Sequence, residues 1–243
     1  MPLWGWVVMV VVGLLAGFSK TAIGNVMLLG VAAMAWLLPA RDSTGVLLLM
    51  LLVGDVIAIT IYRKDVDWRL LARMIVPVLA GIAVGGLFLG RVDNQILERT
   101  IGAILLVLLG VGFLMNRRAK SVDLHGGLLP LAGYGALAGF TTMVANAGGP
   151  AMSLYLLAAK FDKWRFLGTS AWFFFTVNVI KVPVSLGLGI IRPETALLSL
   201  ALAPSVVVGA VIGRVVIKRI DQVWFERLVT IFVAVAALYL LIV

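Results

Sequence analysis

Residues 17–25 read Gly17-Phe18-Ser19-Lys20-Thr21-Ala22-Ile23-Gly24-Asn25, and they interrupt a stretch from Leu3 to Leu38 that is otherwise almost wholly apolar. As one continuous helix, residues 3–38 would be about 54 Å long at 1.5 Å per residue, too long for one crossing of a bilayer core of about 30 Å. Broken at 17–24, the stretch becomes two arms of about 14 residues, each short for a full crossing. The run is therefore either one stretched, broken helix or a hairpin that enters the membrane and returns.

The rest of the chain makes the membrane setting plain. Of its 243 residues 63% are hydrophobic and its mean hydropathy is +1.14, whereas a soluble domain averages roughly 45–50% apolar residues. Apolar runs of about 18 residues or more recur throughout, and the short alternating segments of a β-barrel are absent. The chain reads as an all-α, multi-pass membrane protein. The first run has no small-residue cleavage site after it and is read as retained rather than removed as a signal peptide. With no cysteine there is neither a disulfide nor a thiolate metal site. The net charge of +9 is spread over the loops between apolar runs, which suggests membrane topology rather than nucleic acid as a partner.

The chain also repeats itself. Gly13-Leu14-Leu15-Ala16-Gly17-Phe18-Ser19 matches Gly135-Ala136-Leu137-Ala138-Gly139-Phe140-Thr141 at an offset of 122. Arg91-Val92-Asp93 with Glu98-Arg99 matches Arg219-Ile220-Asp221 with Glu226-Arg227 at an offset of 128, and Gly81 and Gly85 pair with Gly209 and Gly213 at that same offset. These matches divide the chain into halves of 1–120 and 121–243. Each half opens with an interrupted run, 3–38 or 128–159. Spans follow near 44–62, 74–90 and 100–116 in the first half, and near 166–184, 195–213 and 224–243 in the second.

Positive charge chooses between the two readings of the interrupted runs. If each is a single crossing, the loops at 63–73, 117–120 and 192 carry eight Lys/Arg and those at 41, 91–99, 160–165 and 214–227 carry ten, which is no bias. If each is a hairpin, one side keeps only Arg41, Arg91, Arg99 and Arg192, and the other collects fourteen. That asymmetry is what the positive-inside rule predicts. The expectation is thus a re-entrant hairpin plus three transmembrane helices in each half. Three is odd, so the halves have inverted topology, and both termini lie outside the cytoplasm. Inverted repeats with interrupted helices at mid-membrane are a secondary-transporter arrangement.

The two breaks hold the candidate site. The first contributes Ser19, Lys20, Thr21, Gly24 and Asn25; the second contributes Thr141, Thr142, Asn146, Gly148 and Gly149, with Pro150 suited to a first helical turn. Helices restarting after each break aim free N–H groups and positive dipole ends at the tip, which suits an oxyanion. A lysine at mid-bilayer faces a cavity or a partner. Lys20 therefore contacts the substrate anion or pairs with Asp55, the one acid deep in a span. Lys181 is the second cation within a span, where it contacts substrate or snorkels from near the span end. Asp55 balances a lysine or carries a coupling proton. Asn178 reads as interhelical glue, and the Gly-xxx-Gly pairs at 13/17, 81/85, 135/139 and 209/213 read as close helix packing. Ser19, Thr141, Thr142 and Asn146 bind substrate or satisfy backbone groups freed at the breaks.

Enzyme signatures are poor. His125 is the only histidine, which leaves no material for a histidine-based triad or metal site. Gly17 to Thr21 lacks phosphate-loop spacing, and there is no nucleophile elbow.

In its two halves, each opening with a Gly-rich interrupted helix, and in Gly139-Phe140-Thr141 through Ala147-Gly148-Gly149-Pro150, the chain resembles the TauE/SafE family of sulfite exporters and related carriers of sulfur-containing anions. The first break departs from the family pattern, reading Ala22-Ile23-Gly24-Asn25 where a run of glycines with a proline shortly after is usual. The resemblance implies transport of sulfite, thiosulfate or an organosulfonate such as sulfoacetate, across a plasma or inner membrane. The residues alone reach an anion carrier without a cofactor. Its partners are the lipid bilayer, the anion and protons as a coupling ion, with homodimerisation left open. The rival reading is a cation carrier or channel using Asp55 and helix-end carbonyls.

Overall fold

The computed structural model describes residues 3–22, 24–97, 99–100, 103, 127–221, 223–224, 227–228 and 231. Among these, all regular structure is helical. The first interrupted run forms α1 (Leu3–Thr21), a short 3-10 turn (Gly24–Val26) and α2 (Met27–Leu37). Two long helices follow, α3 (Ala40–Tyr62) and α4 (Trp68–Leu89). The second interrupted run forms α5 (Leu128–Ala145) and α6 (Gly149–Ala158), followed by α7 (Lys163–Gly187) and α8 (Pro193–Lys218). Six of these helices, α1, α3, α4, α5, α7 and α8, are long and apolar enough to cross a membrane. The spans expected at 100–116 and 224–243, and His125, lie outside the described residues.

α1 ends at Thr21 and the 3-10 turn begins at Gly24, near the C-terminal edge of the polar stretch, so the arms are unequal. α1 has 19 residues and is about 28 Å long, while α2 has 11. Ser19, Lys20 and Thr21 remain helical: the Ser19 hydroxyl donates to the Ala16 carbonyl of its own helix at 2.8 Å, and Lys20 and Thr21 reach partners on other helices. The chain then folds back. The rings of Trp4 and Trp36, near the two far ends, lie 5.3 Å apart. In the second run the rings of Tyr134 and Tyr155 lie 5.9 Å apart.

The long helices begin earlier than hydropathy suggests, because their first turns are polar but capped. Asp67 accepts the Leu70 N–H at 3.0 Å to start α4, and Asp162 accepts those of Trp164 and Arg165 to start α7. Two pairings lie at opposite ends of the antiparallel helices α3 and α7. Asp42 pairs with Arg192 at one end, and Asp67 with Arg165, 2.6 Å apart, at the other. The Arg41 guanidinium joins the first end, donating to the carbonyls of Leu89 and Val92 at 2.6 and 2.8 Å. Lys163 joins the second, donating to those of Ile217 and Ile220. Residues 41 and 192 therefore share an end.

Glycines let the helices touch backbone to backbone. A Cβ added at Gly17 would stand 1.8 Å from the Val206 carbonyl oxygen, and one at Gly209 would stand 2.0 Å from that of Leu14, so α1 lies directly on α8. The same holds for α5 on α4, where Gly139 meets the Val78 carbonyl at 2.2 Å and Gly81 that of Ala136 at 2.1 Å. These contacts correspond at the sequence offsets of 122 and 128: Gly17 to Gly139, Val206 to Val78, Gly209 to Gly81, and Leu14 to Ala136. The Gly-xxx-Gly pairs are packing surfaces, as their spacing suggests.

Two outcomes follow. Gly139→Ala forces α5 away from the Val78 carbonyl and costs about 2 kcal/mol, lowering the thermal midpoint in detergent. Gly133→Ala, with no atom within 4 Å of the added methyl, leaves that midpoint unchanged or slightly raised. At Asp67, partial burial pushes the carboxyl up, but the Leu70 N–H and the Arg165 guanidinium outweigh it and hold the group below its ordinary value. A lowered folded-state value stabilises the fold above the unfolded value and loses that contribution as pH falls. The stability gap between the wild type and Asp67→Asn, followed by denaturation against pH, is therefore full at neutral pH and closes below about pH 4.

Candidate functional site

The two breaks meet. A Cβ at Gly149, the first residue of α6, would stand 3.1 Å from the Asn25 side-chain oxygen and 3.9 Å from the Gly24 carbonyl. Each break is closed by local chemistry. At the first, the Thr21 carbonyl accepts the Tyr62 hydroxyl at 2.5 Å, and the Thr21 hydroxyl donates to the Ala210 carbonyl at 2.8 Å. At the second, Asn146 takes a left-handed conformation, φ 52°, a position asparagine tolerates. The N–H groups of Asn146 and Ala147 return to the carbonyls of Thr142 and Thr141. Pro150 then sits in the first turn of α6, where its missing N–H costs nothing.

Beside this junction lies a cavity of about 50 Å³, lined in part by Ser19, Lys20, Gly24, Thr142, Asn146 and Gly149. At roughly 12 Å³ for each water-sized position, it holds about four such positions, the size of a small oxyanion. Of the residues expected at the site, these six line it. Thr21, Asn25, Thr141 and Gly148 surround the junction without lining the cavity. Thr141 is turned into its own helix, donating to the Leu137 carbonyl at 2.7 Å. Both ends of the buried Asn25 amide are without a hydrogen-bond partner among the described residues.

The charged groups form one network. The Lys20 ammonium lies 2.8 Å from Oδ1 of the fully buried Asp55 and 4.4 Å from the centroid of the Phe174 ring. The second Asp55 oxygen accepts the Asn178 amide at 2.6 Å. The Asn178 oxygen faces Lys181 at 3.3 Å, and Lys181 also donates to the Asn146 oxygen at 2.6 Å and the Thr142 hydroxyl at 3.3 Å. Asn146 completes the chain by donating to the Thr44 carbonyl at 3.0 Å. Lys20 and Asp55 thus pair, one of the two readings their positions allowed. Lys181 does not snorkel: it is fully buried. Its nitrogen is held instead by the oxygens of Asn146, Asn178 and Thr142.

Asn178 is interhelical, as expected, but it also lines the cavity. Phe174, Ser153 and Ser170, which also line it, are absent from the sequence reading. The offset of the sequence match held a signal for the network: Thr142 lies 122 positions after Lys20, and Asn178, which contacts Asp55, lies 123 positions after it. No cluster of three or more His, Asp or Glu able to hold a metal occurs among the described residues.

Comparison with curated proteins and with solved structures returns no match. The family model described as "Sulfite exporter TauE/SafE" matches residues 9–240, nearly the whole chain. With six membrane-capable helices and a polar site between two interrupted ones, this multi-pass membrane chain belongs to the sulfite exporter TauE/SafE family of transporters.

Proposed function

We propose that this protein is a secondary transporter of a small anion, a sulfur oxyanion or organosulfonate of the sulfite, thiosulfate and sulfoacetate class. One observation carries the reading: two polar helix breaks meet beside a cavity whose charged surroundings are two lysines and one carboxylate. Lys20 is the main charge partner of the anion. Backbone N–H groups at the starts of α2 and α6, the hydroxyls of Ser19 and Thr142, and the unpartnered amide of Asn25 supply neutral contacts. Thr21, Thr141, Asn146, Gly148 and Gly149 hold the breaks in the shape this requires, and Lys181 strengthens the positive potential from behind Asn146.

The architecture of this reading is two inverted repeats, 1–120 and 121–243, each opening with a re-entrant hairpin. Both termini lie outside the cytoplasm of a plasma or inner membrane. The exchange of glycine contacts between α1–α8 and α5–α4 supports the repeat. The shared end of Arg41 and Arg192 supports the hairpins, and the four-against-fourteen distribution of Lys/Arg gives the orientation. Alternating access arises as one half moves against the other about the meeting breaks. Protons are the coupling ion, while Asp55 keeps its charge as the ion-pair partner of Lys20. A cation carrier built on Asp55 is disfavoured, since both oxygens of that carboxylate already face nitrogen donors.

Proteoliposomes test the transport. Sulfite uptake is expected to be saturable and to be driven by an imposed pH gradient, while sodium is not carried. Removing a charged hydrogen-bond partner costs about 1.5–3 kcal/mol, or about ten- to a hundredfold. Lys20→Ala is expected to lose flux or affinity by that factor, and full activity in this variant would remove Lys20 from the site. The natural absence of cysteine permits a topology test. Cysteines introduced at the exposed positions Lys64 and Lys160 are expected to react with an impermeant thiol reagent only from the cytoplasmic side, and one at Glu194 only from outside.

A further inference from the structure

Resting on the anion-carrier reading, we infer that the site is built for a single negative charge, and that Asp55 sets this valence. Among the described residues, the buried side chains include two charged ones, Asp55 and Lys181, and Lys20 is 9% exposed. Two cations therefore stand against one carboxylate around the cavity.

Hydrogen bonding fixes Lys181 as a donor. The Asn146 amide nitrogen is committed to the Thr44 carbonyl and the Asn178 amide nitrogen to Asp55. Both amide oxygens must then accept, and both face the Lys181 nitrogen. With the Thr142 hydroxyl they give three oxygens to the three N–H bonds of an ammonium. The inferred valence requires Lys181 to be an ammonium, held by dipoles rather than by a counter-charge. Its three partners all line the cavity, so it stands one layer behind.

In an interior of low dielectric an uncompensated charge is costly. One negative charge in the cavity brings the cluster to neutrality, whereas two leave it negative, at a distance where screening is weak. The site therefore prefers monoanions, such as hydrogensulfite and methanesulfonate, over sulfate, thiosulfate and fully ionised sulfite. The selection is by charge, because these anions are nearly alike in size. Without its charge at Asp55 the cluster would carry two uncompensated cations and favour a dianion.

Methanesulfonate and sulfate are the probes, since they match in heavy-atom count, differ by one charge and keep their valence near neutral pH. Binding of each sodium salt to the purified protein in detergent, by calorimetry at matched ionic strength, is expected to favour methanesulfonate at least tenfold. Asp55→Asn is expected to shrink that ratio at least tenfold, with Asp55→Glu restoring it. Wild-type protein that binds sulfate equally or better overturns the inference while leaving the anion carrier standing. An unchanged ratio in a folded Asp55→Asn protein, checked by gel filtration, also overturns it. Should that variant not fold, the wild-type comparison decides alone. Failure to bind or transport any anion defeats the carrier reading itself, and the inference with it.

Discussion

A carboxylate shut away from water, Asp55, holds three helices to one another. It stands on α3, takes the Lys20 ammonium of α1 on one oxygen and accepts the Asn178 amide of α7 on the other. Such an ion pair gains little over apolar packing, but losing one partner leaves an unpaired buried charge and costs several kcal/mol. The three helices are therefore committed to one register. The chain prepares the spot one residue earlier: a Cβ at Gly54 would stand 2.9 Å from the Lys20 stem, so glycine makes room for the lysine to reach the acid.

From Asp55 the polar path continues through Asn178 to Lys181, and on to Asn146 at the end of α5. A buried polar network is tolerable when its members are satisfied, and then it specifies geometry more than it adds stability. Here it ties the first break, through Lys20, to the second, through Asn146. Any movement of one half against the other must rearrange these bonds. In the proposed cycle the arriving anion is what rearranges them, competing with Asp55 for Lys20.

Around this core, association relies on close backbone approach. Lipid tails give helices no hydrophobic reason to associate, so small residues at contact points matter more than in water. The chain uses the solution twice, α1 on α8 and α5 on α4, with glycines facing carbonyl oxygens at corresponding positions. The loop contacts repeat it as well: Gly45 meets the Ile190 carbonyl and Gly168 that of Asp65.

Much of this was legible in one sequence. Apolar runs mark membrane helices because the bilayer demands length and hydrophobicity locally, residue by residue. The polar interruption at 17–25, the glycine pairs and the repeated segments are likewise local patterns, and a lone acid in a span implies a lone cation nearby. Helix starts were less legible, since capping by Asp67 and Asp162 offsets polar first turns that hydropathy counts against a span. Tertiary structure alone decided that Lys20 rather than Lys181 pairs with Asp55, that Lys181 is buried among three neutral oxygens, and that Phe174 and Asn178 reach the cavity. Those facts depend on which face each helix turns inward and on the register between helices distant in the chain. Neither is encoded in any single stretch, because both follow from packing all the helices at once.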